Sequence, residues 1–135
     1  MTYPVTVFRW DDPGAPQITT TYGTANELKA VLNACLVAGY GSKAALGWTK
    51  AFDDANGVVW QNNVAAGGSG SMVRLRPKSG NWSTASSAFA SCLELQSAKT
   101  YTNSNTPVKA SQPWPFYHPS TTGTRAWVII GTAIG

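Results

Sequence analysis

Few side chains in this sequence could take part in acid–base or nucleophilic chemistry. Its one histidine, His118, lies in a Tyr-His-Pro stretch, and its six acidic residues include the adjacent pairs Asp11-Asp12 and Asp53-Asp54. Both pairs fall in turn-forming sequence, where aspartate bends the chain, and this disfavours a glycosidase-like carboxylate pair. A Ser–His–Asp triad is compatible with the composition, but no nucleophile-elbow sequence is present. We therefore expect a packing or surface histidine, structural aspartates and no enzyme.

The sequence gives equally little support for a metal ion or a cofactor. Metal sites need clustered ligands, whereas Cys35, Cys92 and His118 are far apart in the chain. The glycine-rich stretch 65–71 is followed by no Gly-Lys-Ser or Gly-Lys-Thr, so it predicts a flexible loop and no phosphate loop. Both cysteines lie in apolar runs, which favours two buried free thiols; a disulfide between them is the alternative.

The composition predicts one folded domain, residues 1–135, with an unusually uncharged surface. Apolar residues make up 43% of the chain, near the globular norm, but charged residues make up only 12%, about half the usual share. Such a surface is poorly protected by charge repulsion and favours association, which assembly proteins tolerate. The first residues show neither a secretory signal nor a membrane span, so we expect synthesis in a cytoplasm and no membrane partner.

The basic residues do not indicate nucleic-acid binding, although the net charge is +4. They are scattered, and no aromatic RNA-binding signature accompanies them. The tightest group is Arg74, Arg76 and Lys78, whose alternation places all three on one face of a strand. That face is either solvated, which we favour, or a small contact site for an anionic partner.

Aromatic residues supply the other candidates for contact with a partner. Of the six tryptophans, Trp10, Trp48, Trp60 and Trp127 lie in strand-like sequence and are expected in the core. Trp82 and Trp114 lie in predicted loops, where an exposed ring would suit a protein interface or a sugar. The candidate contact residues are Trp82, Trp114, Phe116, Tyr117, Arg74, Arg76 and Lys78.

One helix, residues 24–38, is predicted to organise the fold. Thr24 and Glu27 have the spacing of a capping box. Apolar residues follow at helical spacing and predict a face that packs on a sheet: Leu28, Val31, Leu32, Cys35 and Leu36. Gly39 stands where a left-handed residue would end the helix.

The rest of the chain reads as β structure. Alternation and β-forming residues predict strands at 5–10, 48–52, 58–62, 72–76, 116–118 and 126–130. Asn56-Gly57 ends a hairpin connection, so the second to fourth of these strands form an antiparallel meander. Residues 88–97 are ambiguous, with strand favoured over helix, and the proline-rich stretch 100–115 is expected to be irregular. The prediction is an α+β fold: one antiparallel sheet of about six strands with the helix on one face.

The segment 35–52 resembles a known family. It reads Cys-Leu-Val-Ala-Gly-Tyr-Gly-Ser-Lys-Ala-Ala-Leu-Gly-Trp-Thr-Lys-Ala-Phe. This is similar to a segment of tailed-bacteriophage virion proteins, in which a helix ends Cys-Leu-Val-x-Gly-Tyr-Gly before Lys-Ala, Gly-Trp-Thr and an aromatic residue. Residues 72–76 and 121–130 also resemble stretches of that family. The likeness as a whole touches residues 5–76 and 113–130 and is specific mainly at 35–52.

The resemblance implies a structural protein of the virion. The expected role is a capsid decoration or cement protein that lies on the capsid surface and binds the major capsid protein, with a homo-oligomer as a further expectation. A tail or baseplate component is one alternative. Another is a carbohydrate-binding receptor-recognition module, which Trp82 and Trp114 would serve.

Overall fold

The computed structural model describes residues 3–19, 24–78, 92–117 and 123–135, with the backbone alone at Thr24, Ala25, Cys92, Phe116 and Tyr117. Within these ranges the chain is an α+β protein with one α-helix and two antiparallel sheets. The strands are β1 Thr6–Arg9, β2 Thr49–Asp54, β3 Gly57–Gln61, β4 Met72–Pro77, β5 Cys92–Asn103, β6 Thr106–Ala110, β7 Trp114–Tyr117 and β8 Val128–Gly131.

The predicted helix is confirmed, although its last turn is wider than an α-helix. The α-helix α1 spans Thr24–Asn33 and continues as a π-helical turn, Ala34–Ala38. Gly39 ends it, with a positive φ of 77° and its N–H bonded to the Ala34 carbonyl over 2.7 Å. A side chain at this position would place its Cβ 2.7 Å from the Lys43 carbonyl oxygen, so only glycine fits.

Glu27 attaches the start of α1 to the segment before it. Its carboxylate accepts hydrogen bonds from the Thr19 backbone N–H and hydroxyl group, both over 3.2 Å. The other half of the predicted capping box, the Thr24 side chain, lies outside the described side chains. The helix therefore begins with a contact to the Thr-rich segment that the sequence pattern did not indicate.

The larger sheet has six strands in the order β2-β3-β4-β5-β6, with β7 also paired to β5. The predicted meander is confirmed: β2, β3 and β4 are antiparallel neighbours. Ala55 and Asn56 form the tight turn between β2 and β3, and the Asp54 carboxylate accepts a 2.8 Å hydrogen bond from the Asn56 N–H. The ambiguous stretch is a strand from Cys92 onward, and its first four residues lie outside the described ranges.

The expectation of irregular structure at 100–115 is wrong. This stretch holds the end of β5, all of β6 and the start of β7. Proline is tolerated on an outermost strand because its missing N–H can point away from the ladder. Pro107 and Pro115 both lie on strands that flank the outer side of β5.

Two apolar clusters cover the two faces of this sheet. The larger lies between the helix and the sheet and includes all five predicted apolar helix positions, as buried residues or packed against them. Trp60 is fully buried there, and Trp48 and Trp127 pack against it, as predicted. The smaller cluster consists of Val59, Met72, Ala98 and Tyr101, with Phe52 beside them.

The first and last strands form a separate two-stranded ribbon. Strands β1 and β8 pair with each other, with Val7 opposite Ile130 and Phe8 opposite Ile129. Phe8 is buried in the larger cluster and Ile129 packs against it, whereas Val7 and Ile130 face outward. The prediction of a single sheet thus missed the ribbon. Trp10, expected in the core, is exposed because it begins the turn after β1.

The paired residues Leu75 and Leu95 provide a matched test of this architecture. Leu75 is fully buried, while Leu95 is 38% exposed. Leu75→Ala should lower the free energy of unfolding by about 2–5 kcal/mol, because it leaves a cavity in the larger cluster. Leu95→Ala makes the same chemical change at an open position and should cost clearly less. Equal losses in urea denaturation would contradict the register.

Candidate functional site

The described residues contain no recognisable set of reacting or metal-binding groups. No three His, Cys, Asp or Glu side chains among them form a group that could hold a metal ion. Cys35 is a buried free thiol, which agrees with the prediction, and burial raises its pKa to about 12. A thiol with that pKa is almost wholly protonated at neutral pH and is a poor nucleophile. His118 and Trp82 lie outside the described residues.

In the part of the chain that is described, no helix is long and apolar enough to cross a membrane.

The four aspartates of the adjacent pairs have partners that explain them structurally. Asp11 pairs with Arg9 over 2.9 Å. Asp53 accepts from Lys29 and, over 2.7 Å, from Lys50. These contacts attach the helix and the start of β2 to the same carboxylate. Asp11 lies in a turn as predicted, whereas Asp53 and Asp54 end strand β2, so the prediction of a turn is wrong for the second pair.

The Tyr40 hydroxyl joins the family-like segment to β1. It donates to the Asp12 carboxylate over 2.8 Å and accepts from the Arg9 backbone N–H over 3.2 Å. Its ring packs on Phe8, with centroids 5.9 Å apart, and meets Trp127 edge-on at 6.2 Å. Burial raises the pKa of Tyr40 above its usual value, so the hydroxyl keeps its proton and acts as a donor.

Lys43 completes this contact, and we call Asp12, Tyr40 and Lys43 the Asp12 cluster. The Lys43 ammonium group lies 2.8 Å from the Asp12 carboxylate and donates to the Val7 carbonyl over 2.6 Å. The hydrogen bond from Lys43 lowers the pKa of Asp12 to about 2. The Asp12 cluster therefore holds β1 against the loop that follows the helix.

The glycines and tryptophan of the segment are also explained by packing. A Cβ at Gly41 would lie 2.1 Å from the Pro13 carbonyl oxygen, so the two loops touch backbone to backbone. The Trp48 N–H bonds to the Leu36 carbonyl over 2.9 Å, and its indole donates to the Thr132 carbonyl over 3.1 Å. The segment that carries the family resemblance thus joins the helix, β1 and the end of β8. It forms no open site in the described structure.

The Asp12 cluster predicts a specific dependence of stability on pH. Because the pKa of Asp12 in the folded chain is below its usual value near 4, its contribution is fully present above about pH 4 and is lost as the pH falls toward about 2. Asp12→Asn should lower the melting temperature at pH 7 and flatten the decline between pH 4 and pH 2.

The neighbouring Asp11 gives the control for this prediction. Asp11→Asn removes an exposed pair with Arg9 and should change the melting curve little. Melting temperatures measured by calorimetry at several pH values would test both variants. Parallel curves for wild type and Asp12→Asn would contradict the assigned role of the carboxylate.

The basic group on β4 does not form a shared solvated face. Arg74 is only 3% exposed. Its guanidinium donates to the Gln96 side chain over 2.5 Å and to the Ser104 carbonyl over 3.0 Å, and it lies 5.4 Å from the centre of the Tyr101 ring. The expectation of a solvent-facing Arg74 is wrong, because the β5–β6 hairpin folds over this face of the sheet. Its guanidinium is thus inaccessible to a partner.

The other two basic residues differ from Arg74 in their surroundings. Arg76 is half-buried and pairs with Glu94 over 2.7 Å. Lys78 follows the end of β4 and is exposed. Alternation correctly places Arg74 and Arg76 on one face, but it cannot tell which part of that face a distant hairpin covers. The three residues do not act together as an anion site.

Arg74 should stabilise the hairpin tip that ends in Ser104. Arg74→Met removes both charged hydrogen bonds while keeping an apolar stem, and it should cost about 2–4 kcal/mol of unfolding free energy. Residues 100–110 should then exchange their amide hydrogens faster than the rest of the sheet. Lys78→Met, at an exposed position, is the control and should change stability by less than about 0.5 kcal/mol. Unchanged exchange of the hairpin would contradict this role.

Trp114 is the predicted contact residue that the structure presents most openly. It lies at the start of β7, opposite Leu95, and is 71% exposed. Pro113 and Pro115 flank it and restrict the backbone. The next candidates, Phe116 and Tyr117, continue the same strand, although their side chains are not described.

A second exposed apolar surface was not recognised from the sequence. We call it the ribbon face: the outward side chains of β1 and β8 and of the residue before β1. Its aliphatic members are Val5, Val7, Val128 and Ile130, all exposed. Their alternation was visible, but alternation does not tell whether a strand's second face is covered.

Comparison of the chain with models of known families, with curated proteins and with solved structures finds no match in any of the three.

Proposed function

We propose that this chain is a structural protein of a tailed-phage virion, a decoration or cement protein that binds the major capsid protein on the capsid surface. The resemblance of residues 35–52 to virion proteins suggests the class. The observation that carries a binding role is the exposure of Trp114, at 71%, on a proline-flanked strand. A large apolar ring held in the open by a rigid strand is typical of an interface residue.

Adhesion would come from burial of Trp114 and its neighbours against the shell. Leu95, directly opposite on β5, is 38% exposed and extends the apolar surface. Burying such a pair removes apolar area from water without requiring a charged partner. Contacts from many copies, each bridging neighbouring capsid subunits, would then stiffen the shell through their number.

The low charge of the chain supports the same role. A surface with 12% charged residues has little electrostatic repulsion between neighbours. Dense packing of many copies on a shell requires such neighbours to lie side by side. The exposed Lys78 is available for contact with a partner, where it would add specificity more than affinity.

Mass spectrometry of purified virions tests the proposal directly. A decoration protein should be present in hundreds of copies, because it follows the capsid lattice. A copy number near six or twelve would instead indicate a tail or baseplate component, and absence from the virion would overturn both roles.

Trp114→Ala should weaken retention on the capsid while leaving the fold intact. Since the ring is exposed in the isolated chain, its removal should change unfolding free energy by about 0.5 kcal/mol or less. Binding to capsids that lack the protein should fall by about tenfold or more, as for an interface hot spot. Val64→Ala, an exposed apolar residue on the Val64–Ala66 turn, is the matched control and should bind normally. Equal binding by both variants would remove Trp114 from the interface.

Carbohydrate recognition is a second candidate that the same residue favours. An exposed indole can stack on a sugar ring, and the hydroxyl group of Ser111 and the amide of Gln112 lie just before Trp114 in the chain. A glycan array probed with wild type and Trp114→Ala separates the two functions. Binding that is lost in the variant would support a receptor-recognition module, and an array without binders would leave capsid attachment as the proposal.

A further inference from the structure

Strand β8 has its outer edge free of hydrogen-bond partners within the described residues. The Trp10 N–H bonds to the Trp127 carbonyl over 3.0 Å, which fixes the phase of the β1–β8 ladder. Counting along the register, Phe8 and Ile129 are the next bonded pair. In an antiparallel ladder the intervening residues direct their N–H and C=O groups away from the partner strand. The backbone groups of Val128 and Ile130 therefore point outward from the ribbon.

The opposite edge of the ribbon is already occupied. The outward N–H of Arg9 bonds to Asp12 over 2.8 Å, and the outward carbonyl of Val7 accepts from Lys43 over 2.6 Å. The Asp12 cluster thus covers the edge of β1. Among the described residues, nothing equivalent contacts the outward backbone groups of Val128 and Ile130. The two edges of the ribbon therefore differ in their hydrogen bonding: side chains bond to the outward backbone groups of β1, whereas no described residue bonds to those of β8.

The edges of the six-stranded sheet carry the features that prevent edge-to-edge pairing. Strand β2 has a bulge between Lys50 and Phe52 and an ion pair between Lys50 and Asp53. The opposite edge, made by β6 and β7, carries prolines and Lys109. Charges, bulges and prolines are the usual protection of exposed edges. Strand β8 has none of these, and its Val128 and Ile130 are 58% and 66% exposed.

We propose that β8 pairs edge to edge with β8 of a second copy of this chain, antiparallel and centred on Ile129. This register aligns Val128 of one copy with Ile130 of the other in bonded pairs, so it makes about four backbone hydrogen bonds. The exposed β-branched side chains meet across the new ladder, which is a favourable cross-strand pairing. Two ribbons become one four-stranded sheet with the ribbon faces on the same side.

A second copy fits this edge better than a strand of unrelated sequence. A two-fold contact requires the same surface to be self-complementary, and an antiparallel pairing centred on Ile129 meets that condition. No net charge opposes it on the ribbon, because Arg9 is matched by Asp11 at 2.9 Å. Pairing of two copies uses the β8 edge of both, which is the one described edge that lacks protection. No such edge is left for a third copy, so a dimer and not a fibre should form.

The size of the contact predicts a weak dimer. Edge pairing buries mainly the strand edge and the flanks of Val128 and Ile130, because the ribbon faces stay exposed on one side of the joined sheet. The buried area is therefore well below the roughly 800 Å² that a stable interface buries on each partner. The backbone hydrogen bonds provide the remaining specificity. We therefore expect a dissociation constant in the micromolar range or weaker. This inference does not depend on a role of the chain in the virion.

Sedimentation equilibrium of the purified chain, from about 1 µM to about 1 mM, tests the proposal. Wild type should shift from monomer to dimer within this range. Ile130→Pro removes an outward N–H that takes no part in the β1–β8 ladder, and it should weaken the dimer by about tenfold or more. Ile130→Val keeps the N–H and most of the side chain, and it should associate within about threefold of wild type.

Two further measurements separate edge pairing from other contacts. Amide hydrogen exchange of Val128 and Ile130 should slow as the concentration rises, while Ile129, already bonded to β1, should change little. Val128→Lys leaves the backbone intact and should also weaken the dimer about tenfold, so the test stands if the proline variant is unfolded. A chain that stays monomeric at about 1 mM, or a dimer that keeps its affinity in a folded Ile130→Pro variant, would overturn the proposal.

Discussion

The position of the ribbon depends on one carboxylate, that of Asp12. It accepts hydrogen bonds from the Arg9 backbone and the Tyr40 hydroxyl and pairs with Lys43, so it joins the turn after β1 to the loop after the helix. Without the carboxylate, all three groups would lose a hydrogen-bond partner at once, which costs more than the loss of a single surface ion pair. Because β1 and β8 pair only with each other among the described strands, their place on the helix side of the sheet follows from this cluster and from the apolar packing beneath it.

A buried cation, Arg74, plays a similar joining role on the other face of the larger sheet. Arg74 is bonded to Gln96 and to the tip of the β5–β6 hairpin at Ser104, and Tyr101 covers it. Burial lowers the pKa of Arg74, yet the guanidinium remains charged because its usual pKa is so high. The conspicuous polar residues of the sequence are therefore used inside the molecule. Among the described residues, the exposed features proposed for contact are mainly apolar: Trp114 on the larger sheet and the ribbon face on the other.

The sequence predicted the elements whose signals are local. The helix at 24–38 was predicted because the spacing of its apolar residues and the glycine at its end, Gly39, indicate the same element. The β2–β3 hairpin was predicted because Asn56-Gly57 favours a tight turn. Errors arose where the answer depends on distant residues. Prolines at 107 and 115 looked incompatible with strands, but their cost depends on whether the strand lies at an edge. Arg74 looked solvated because alternation assigns a face without showing that a hairpin thirty residues later covers it. Trp114 was identified correctly as an exposed residue although it lies in a strand and not in a loop.

The distribution of edge protection separates the two candidate contacts physically. Trp114 belongs to the six-stranded sheet, whose outer strands carry charges and prolines, so contact there must come from side chains and not from strand addition. Strand β8 offers the opposite case, because its outward backbone groups have no partner among the described residues and its aliphatic side chains suit another strand. The described strands of the two sheets share no ladder, and hydrogen bonds from Trp48 and Asn63 to the residues after β8 join the ribbon to the larger sheet. Under the two proposals a low-charge chain would remain selective, because β8 would accept a strand, Trp114 would contact a surface, and the other described edges carry features that disfavour strand addition.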